Sequence, residues 1–159
     1  MSEHRTIGIG MDYSPSSKTA LKWALENIAR AGDHIVLIHT QPHAGQSAQK
    51  QLWEEEGSPL IPLKEFQDMH LQVQYGFKPD ADILAVLDAA SGTKEVTIVS
   101  KIYWGDAREK LCDAASDLKL TSLVVGSRGL GPLKRVLLGS VSNYVVLHAS
   151  CPVTVVKAA

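Results

Sequence analysis

The feature that most constrains this chain is a repeated alternation between short apolar runs and longer stretches with helical periodicity. The apolar runs are rich in valine and isoleucine and occupy residues 6–11, 35–38, 96–99, 122–125 and 153–157. Nearly continuous runs of this kind are typical of strands that are buried on both faces of a sheet. Strands that alternate with helices favour a parallel sheet covered by its crossover helices.

Residues that start and stop helices stand between the apolar runs. The predicted helix starts are Ser14-Pro15, Asp80, Asp106 with Glu109 as an acidic capping box, and Gly139-Ser140. Gly32 and Gly92 are predicted to end the first two of these helices. Pro62 predicts a further short helix that passes through Phe66 towards Gly76, after a long loop over 41–61.

These elements predict an α/β fold with a single doubly wound, parallel, five-stranded sheet. We expect the flavodoxin- or Rossmann-like order 3-2-1-4-5 with helices on both faces, which keeps every crossover right-handed. This order places the first strand beside the fourth, where the winding direction reverses, and ligands bind beyond the carboxyl ends of the strands at such a point. Asp12 and Gly126 follow these two strands, so the sequence predicts a binding site between them.

Length and composition narrow the class of protein further. The 159 residues, of which 21% are charged, fit one globular domain over 1–159. A net charge of -1 provides no field that would attract nucleic acid, so no nucleic-acid partner is expected. No secretory pattern and no stretch of roughly 20 apolar residues is found, so we expect a cytoplasmic protein without membrane insertion.

Cys112 and Cys151 are the only cysteines, and we interpret them as buried free thiols of a reducing compartment. A disulfide or redox switch is the alternative. The histidines do not cluster at metal-ligand spacing, since His39 and His43 straddle a strand end and a loop. No protein-held metal site is therefore predicted.

The stretch from Gly126 to Ser142 carries the chemistry. Gly126, Gly129 and Gly131 follow a strand, and Gly139-Ser140-Val141-Ser142 opens a helix. Glycines allow backbone N–H groups to approach an anion and adopt left-handed dihedral angles, and a helix start adds unpaired N–H donors and its dipole. The hydroxyls of Ser140 and Ser142 are expected to add further donors. An equally weighted alternative is that the glycines serve merely to form a tight connection between the strand and the helix, and that Ser140 serves merely to cap the helix.

Two other phosphate-binding loops are excluded. A P-loop requires lysine after its second glycine, whereas Pro132 follows Gly131. The dinucleotide fingerprint requires a third glycine, but Tyr13 occupies that position after Gly8 and Gly10.

The spacing Gly126-x2-Gly129-x9-Gly139-Ser140 resembles the nucleotide-binding pattern of the universal stress protein family. The resemblance covers essentially the whole chain, and the stretches 103–112 and 126–135 are similar to plant members in particular. It implies an adenine nucleotide, ATP or AMP, as the ligand. A divalent ion, Mg²⁺ or Mn²⁺, could accompany the phosphates.

The resemblance also assigns roles to residues. Asp12 is expected to contact the nucleoside and the backbone of Thr40 the adenine edge, while Gly10 and Met11 would lie under the base. Gly126 and Gly129 would flank the ribose and phosphates, and the phosphate-binding turn would consist of Gly139, Ser140, Val141 and Ser142. Arg128, Lys134 and Arg135 could contact the outer phosphates. The interpretation we favour is that these basic side chains form a solvent-exposed rim around the site.

Three functions follow as hypotheses. The first is a nucleotide-dependent sensor or regulatory module in the stress response, because a phosphate cradle is visible without an evident catalytic base. The second is a slow ATPase or phosphotransferase, and the third is a chaperone-like protein or adaptor that needs no nucleotide. A homodimer is expected through the edge strand 153–157, since an unpaired apolar edge is a liability and the family resemblance implies a two-fold partner.

Overall fold

A computed structural model describes residues 4–41, 56–70, 79–127 and 139–157. These residues form one six-stranded sheet in the order β3-β4-β2-β1-β5-β6. The strands are β1 (Thr6–Gly10), β2 (His34–Gln41), β3 (Ile61–Pro62), β4 (Thr97–Trp104), β5 (Ser122–Gly126) and β6 (Val153–Val156). Five of them, β4-β2-β1-β5-β6, are parallel neighbours and confirm the predicted order 3-2-1-4-5.

The predicted number of five strands is wrong, because β3 adds a sixth at the outer edge of β4. β3 is antiparallel and pairs with Val99 and Ser100. Just before it, the Ser58 N–H donates to the Ile102 carbonyl at 2.7 Å, and the Ile102 N–H donates to Ser58 Oγ at 2.9 Å. This segment therefore covers an edge that would otherwise expose unpaired backbone groups, and Pro62 is tolerated because it lies on an edge strand.

The helices cover both faces of the sheet, as a doubly wound fold requires. They are α1 (Pro15–Asn27), α2 (Leu63–Phe66), α3 (Ala81–Thr93), α4 (Ala107–Asp117) and α5 (Ser140–His148). One core cluster joins Leu21 of α1 and Ile83 of α3 to one face of the sheet. A second cluster joins Leu111 of α4 and Val145 of α5 to the opposite face.

Several predicted boundaries are wrong. β4 extends to Trp104 and β2 to Gln41, because polar residues such as Lys101 interrupt the apolar pattern without ending the strand. Lys101 is accommodated because its Nζ donates to the Ser58 carbonyl at 2.7 Å. Gly92 lies inside α3 rather than after it, and α1 ends at Asn27, before the turn at Gly32.

The helix predicted from Pro62 is interrupted: α2 ends at Phe66, and helical backbone resumes at Met69 and His70. Gly76, its predicted end, lies outside the described residues. Within the described part of the chain, no helix is long and apolar enough to span a bilayer.

Candidate functional site

The carboxyl ends of β1 and β5 lie side by side, as the predicted switch point requires. β1 and β5 are parallel neighbours, with Ile9 level with Val124. Asp12 and Gly126, at the ends of these strands, are therefore on the same edge of the sheet. α1 begins directly after β1, and α5 follows β5 in the chain, so two helix starts belong to this edge.

No side chain among the described residues caps the backbone donors at the start of α5. Gly139 is the N-cap residue and provides no side-chain acceptor. The first N–H groups of a helix have no acceptor within the helix itself, and they carry the positive end of its dipole. Gly139 has φ −66° and ψ 163°, which any L-residue can adopt, so the backbone does not require glycine here.

Ser127 holds the start of α5 against the end of β5. The Gly139 N–H donates to the Ser127 carbonyl at 2.7 Å, and the Ser127 N–H donates to the Val156 carbonyl of β6 at 3.0 Å. The two residues that flank 128–138 are thus hydrogen-bonded to each other. Sequence reasoning missed Ser127, because nothing in the sequence indicates that its carbonyl accepts from the helix start.

The Ser142 hydroxyl, which was expected to donate to the anion, is directed into the chain in this structure. Ser142 is 2% exposed, and its Oγ donates within the chain, with the Ser127 carbonyl at 3.2 Å and the Gly139 carbonyl at 3.1 Å. Its hydroxyl therefore fixes the turn from inside. Ser140 is exposed and Val141 is half-buried against the α4–α5 core cluster. Of the two serines, Ser140 alone has a hydroxyl on the surface.

Gly126 is a glycine because α1 passes directly over it. A Cβ at this position would lie 2.4 Å from Ser16 Oγ and 2.7 Å from the Ser16 carbonyl carbon. Neither Gly126 nor Gly139 has the left-handed φ predicted for this glycine pattern, since the described glycines with positive φ are Gly32, Gly57 and Gly105. Close packing, rather than turn geometry, accounts for Gly126.

Asp12 is exposed at the end of β1, with one carboxylate oxygen engaged. Its Oδ1 accepts from the Ser14 N–H at 2.9 Å, which fixes the side chain in a turn before α1. No hydrogen bond involves Oδ2 among the residues that the structure describes.

Tyr13 adopts a strained conformation next to Asp12. Its φ is 61°, which is unusual for an aromatic residue and is often found near functional sites. The ring centre lies 5.7 Å from that of His39, which in turn lies 5.1 Å from Phe66. Burial lowers the pKa of His39 to about 3, so the imidazole is neutral at physiological pH. Burial, and then the charge of Asp80, raise the pKa of Tyr13.

The backbone of Thr40 faces the gap where β1 has ended. Ile38 accepts from the Met11 N–H at 2.9 Å, so its backbone groups point towards β1. Backbone groups two residues apart in a strand point to the same neighbour, so those of Thr40 point the same way. The pairing of β1 with β2 ends at Gly10 and Ile38. Thr40 thus directs its backbone N–H and carbonyl to the side of β2 where β1 has ended.

Neither Met11 nor Gly10 presents a side chain on which a base could lie, because Met11 is buried and glycine has none. Met11 is 4% exposed and packs in the core, with Ser17 Oγ donating to its sulfur at 3.5 Å. A contact between Met11 and a base could come only from its backbone. Gly10 is half-buried, and a Cβ there would lie 3.3 Å from Val125.

Some predicted site residues lie outside the described residues. They are Arg128, Gly129, Lys134 and Arg135, all within 128–138. In the part of the chain that is described, no group of three or more His, Cys, Asp or Glu side chains could hold a metal ion. Cys112 and Cys151 are free thiols, as expected, although both are half-buried rather than buried.

Comparison with known proteins agrees with this architecture. The model of the universal stress protein family matches residues 3–157. Two Arabidopsis thaliana relatives, universal stress proteins PHOS32 and PHOS34, are 37% and 35% identical, each over 96% of this chain. The chain spans 64% and 62% of the lengths of these two relatives.

Solved structures of similar proteins share the fold. A universal stress protein family protein from Arabidopsis thaliana with AMP bound is 26% identical, with a TM-score of 0.60 over 98% of this chain and 92% of that one. A universal stress protein in complex with cAMP is 22% identical, with a TM-score of 0.57 over 98% of each chain. Given the matched family model and these similarities, the chain belongs to the universal stress protein family.

Proposed function

We propose that this protein binds an adenine nucleotide at the carboxyl ends of β1, β2 and β5, with the phosphates at the start of α5. The observation that carries the proposal is the Gly139 cap: among the described residues, no side chain accepts from the first-turn N–H groups of α5. The related Arabidopsis protein with bound AMP supports adenine as the base.

The described residues divide into a nucleoside part and a phosphate part. Thr40 offers its backbone donor and acceptor to the adenine edge, and Asp12 Oδ2 accepts from the ribose or the base. The N–H groups of Ser140, Val141 and Ser142 and the Ser140 hydroxyl face the phosphates. Gly126 supports the site indirectly, since it allows α1 to pack against the end of β5. Arg128 and Gly129 are proposed to complete the phosphate side.

A divalent ion would take its ligands mainly from the nucleotide. Mg²⁺ prefers oxygen ligands and commonly retains water while bound to substrate phosphates. Because the described residues offer no group of three metal-binding side chains, the phosphates and water would hold Mg²⁺ or Mn²⁺ here. We therefore expect AMP to bind without added metal.

Calorimetric titration with ATP and AMP tests the proposal directly, with GTP and inorganic phosphate as controls. We expect heat and a raised thermal midpoint with the adenine nucleotides, and weaker effects with GTP. Absence of both signals at millimolar ATP and AMP would contradict nucleotide binding. Phosphate release above a protein-free control, lost in Gly139→Val, would instead assign an ATPase or phosphotransferase activity.

A regulatory role in the stress response is the second part of the proposal. A bound nucleotide would join the ends of β1 and β2 to the start of α5. The surface formed by these elements would then differ between the nucleotide-bound and nucleotide-free protein, and so depend on the nucleotide concentration. Client-protein protection that is unchanged in a variant unable to bind nucleotide would instead favour a chaperone-like role.

We also propose a homodimer through β6. One edge of the sheet is covered by β3, whereas β6 pairs with β5 on one side, and Val153 and Val155 are half-buried. Pro152 and Val156 accept from β5 and its continuation at 2.9 and 3.0 Å, so Val153 and Val155 direct their backbone groups outwards. A two-fold mate of β6 would pair with these groups.

Val155→Pro tests this dimer, because it removes an outward donor and keeps the hydrogen bonds to β5. Light scattering is expected to give a dimer for the native chain and a monomer for the variant. A native monomer at micromolar concentration would contradict the proposal.

A cytoplasmic location, supported by the free thiols, is tested by imaging a fluorescent fusion.

A further inference from the structure

One face of α4 is directed at α5 and the turn that follows it. Arg108, Cys112 and Ser116 recur every four residues and therefore lie along this face. At its beginning, the Arg108 guanidinium lies 5.7 Å from the centre of the Tyr144 ring of α5. At its end, Ser116 Oγ lies 3.3 Å from Ser150 Oγ. Cys112 stands between these two contacts, so its side chain faces the same segment.

Cys151 belongs to that segment, since it follows Ser150 and precedes β6. Both cysteines are half-buried free thiols, and both pack against the core cluster shared by α4, β5 and α5. The Ser116–Ser150 contact thus places the two thiols on facing elements: Cys112 lies one helical turn before Ser116, and Cys151 directly follows Ser150.

We propose that Cys112 and Cys151 form an oxidisable thiol pair that closes to an intrachain disulfide in the presence of a small disulfide such as oxidised glutathione. The thiolate of one cysteine attacks the small disulfide and releases one glutathione thiolate. The thiolate of the second cysteine then attacks the protein sulfur of the mixed disulfide and releases the other glutathione. The protein loses two electrons and two protons, and these convert the oxidant to two glutathione thiols.

The local environment determines how fast this reaction is. Burial raises the pKa of Cys112, with the charge of Asp113 and the neighbouring Cys151 thiol adding to it. Burial also raises the pKa of Cys151. Since the thiolate is the nucleophile, closure is expected to be slow at neutral pH and to accelerate by up to about tenfold per pH unit below these pKa values.

The bond would act on the segment that contains the proposed phosphate site. The chain between Cys112 and Cys151 includes β5, Gly139 and α5. A disulfide restricts the unfolded chain most when it closes a long loop, so the oxidised protein should resist unfolding of this segment. The inference does not depend on nucleotide binding, because it concerns the opposite end of α5 from Gly139.

The test uses the full chain incubated with oxidised glutathione at several pH values, then acid-quenched and mapped by mass spectrometry without reduction. We expect both thiols to disappear together, with the Cys112 and Cys151 peptides linked within one polypeptide, which runs as a single chain under denaturing, non-reducing conditions. The thermal midpoint should rise by several degrees and return to its starting value after dithiothreitol.

Cys112→Ser and Cys151→Ser are the matched controls. Each should retain one cysteine, captured as a mixed disulfide with glutathione, and show no rise in thermal midpoint. Thiols that stay free, that each retain glutathione in the native protein, or that link only between chains would overturn the proposal. If a variant does not fold, peptide mapping of the native chain still decides.

Discussion

The starts of the four longer described helices, α1, α3, α4 and α5, are of two kinds, while the four-residue α2 begins at Pro62 without a side-chain cap. At α1, α3 and α4, a side chain of the chain itself accepts from the first turn. Ser14 Oγ accepts from Ser17 N–H at 3.2 Å, Asp80 Oδ1 from Asp82 N–H at 2.8 Å, and Asp106 Oδ1 from Arg108 N–H at 2.8 Å. At α5, Gly139 stands in the same place and offers no side chain.

The difference indicates that α5 is adapted to an external acceptor. Every helix leaves its first N–H groups unpaired, and a Ser, Thr, Asp or Asn cap satisfies part of that demand. The dihedral angles of Gly139 would accept any of these residues, so backbone geometry does not explain the glycine. An anion at this position would replace the missing cap, and this is the basis of the proposed nucleotide site.

Gly139→Asp should abolish the difference between α5 and the capped helices α1, α3 and α4, and it is expected to have the largest effect. The new carboxylate would accept from the first turn and place negative charge where the phosphates bind. We expect affinity for ATP and AMP to fall on the order of 100-fold, or about 3 kcal/mol, by calorimetry.

Gly139→Ala is the control for this change, because it adds a methyl group without charge or acceptor. We expect this variant to retain most of the affinity. Equal loss in both variants would indicate a steric effect, and unchanged affinity in Gly139→Asp would contradict the proposed site.

Gly126→Ala tests how closely the capped start of α1 packs against the same edge of the sheet. The added Cβ would meet the Ser16 backbone at 2.7 and 2.8 Å, and overpacking of this kind costs about 1–3 kcal/mol of unfolding free energy. Urea unfolding measures this loss. Gly92→Ala is the matched control, since no atom lies within 4 Å of its Cβ, and in α3 it should stabilise by about 0.5–1 kcal/mol. Similar results for the two variants would contradict the packing role of Gly126.

Ser14→Ala removes an internal cap and should separate stability from binding. Its hydroxyl accepts from the Ser17 N–H, and loss of such a cap costs about 1 kcal/mol. The Ser14 N–H that binds Asp12 is retained, so nucleotide affinity should not change. If Ser14→Ala instead caused a large loss of nucleotide affinity with little loss of unfolding free energy, it would contradict our assignment of the α1 start to stability and the α5 start to binding.

Asp106→Asn is expected to have the smallest effect and a distinct pH dependence. The hydrogen bond from Arg108 lowers the pKa of Asp106 to about 2, below its value in the unfolded chain of about 4. The ionised cap therefore stabilises the fold above about pH 4, and this contribution is lost as the pH falls through about 2. The difference in urea midpoint between native and Asp106→Asn protein should shrink over that interval, whereas that of Ser14→Ala should not. A difference in urea midpoint between native and Asp106→Asn protein that stays constant over this pH range would contradict the stabilising role assigned to the ionised Asp106 cap.

Local signals made much of this fold predictable. Apolar runs identified the five parallel strands, and Ser14, Asp80 and Asp106 identified three helix starts, because capping depends on a few neighbouring residues. β3 was missed, since two residues carry no periodicity and their pairing depends on β4. The end of β4 was missed because Lys101 interrupts the apolar pattern. The hydrogen bond to the Ser58 carbonyl that accommodates Lys101 within the strand depends on the tertiary structure.

The candidate site was predictable in position but not in detail. The predicted strand order placed Asp12 and Gly126 at the same edge of the sheet, as the structure has them, because strand order fixes which ends meet. The direction of the Ser142 hydroxyl and the contact of Gly126 with Ser16 depend on tertiary packing, which no sequence pattern contains. The strain at Tyr13 likewise becomes visible only in the structure.

The most direct test of the account is an amide-resolved NMR titration of the native protein with AMP. The N–H signals of Ser140, Val141 and Ser142 should shift on binding, because they would gain a phosphate acceptor. The N–H of Asp82, already capped by Asp80, should stay in place. Binding that leaves 140–142 unmoved would contradict the claim that the start of α5 holds the phosphates.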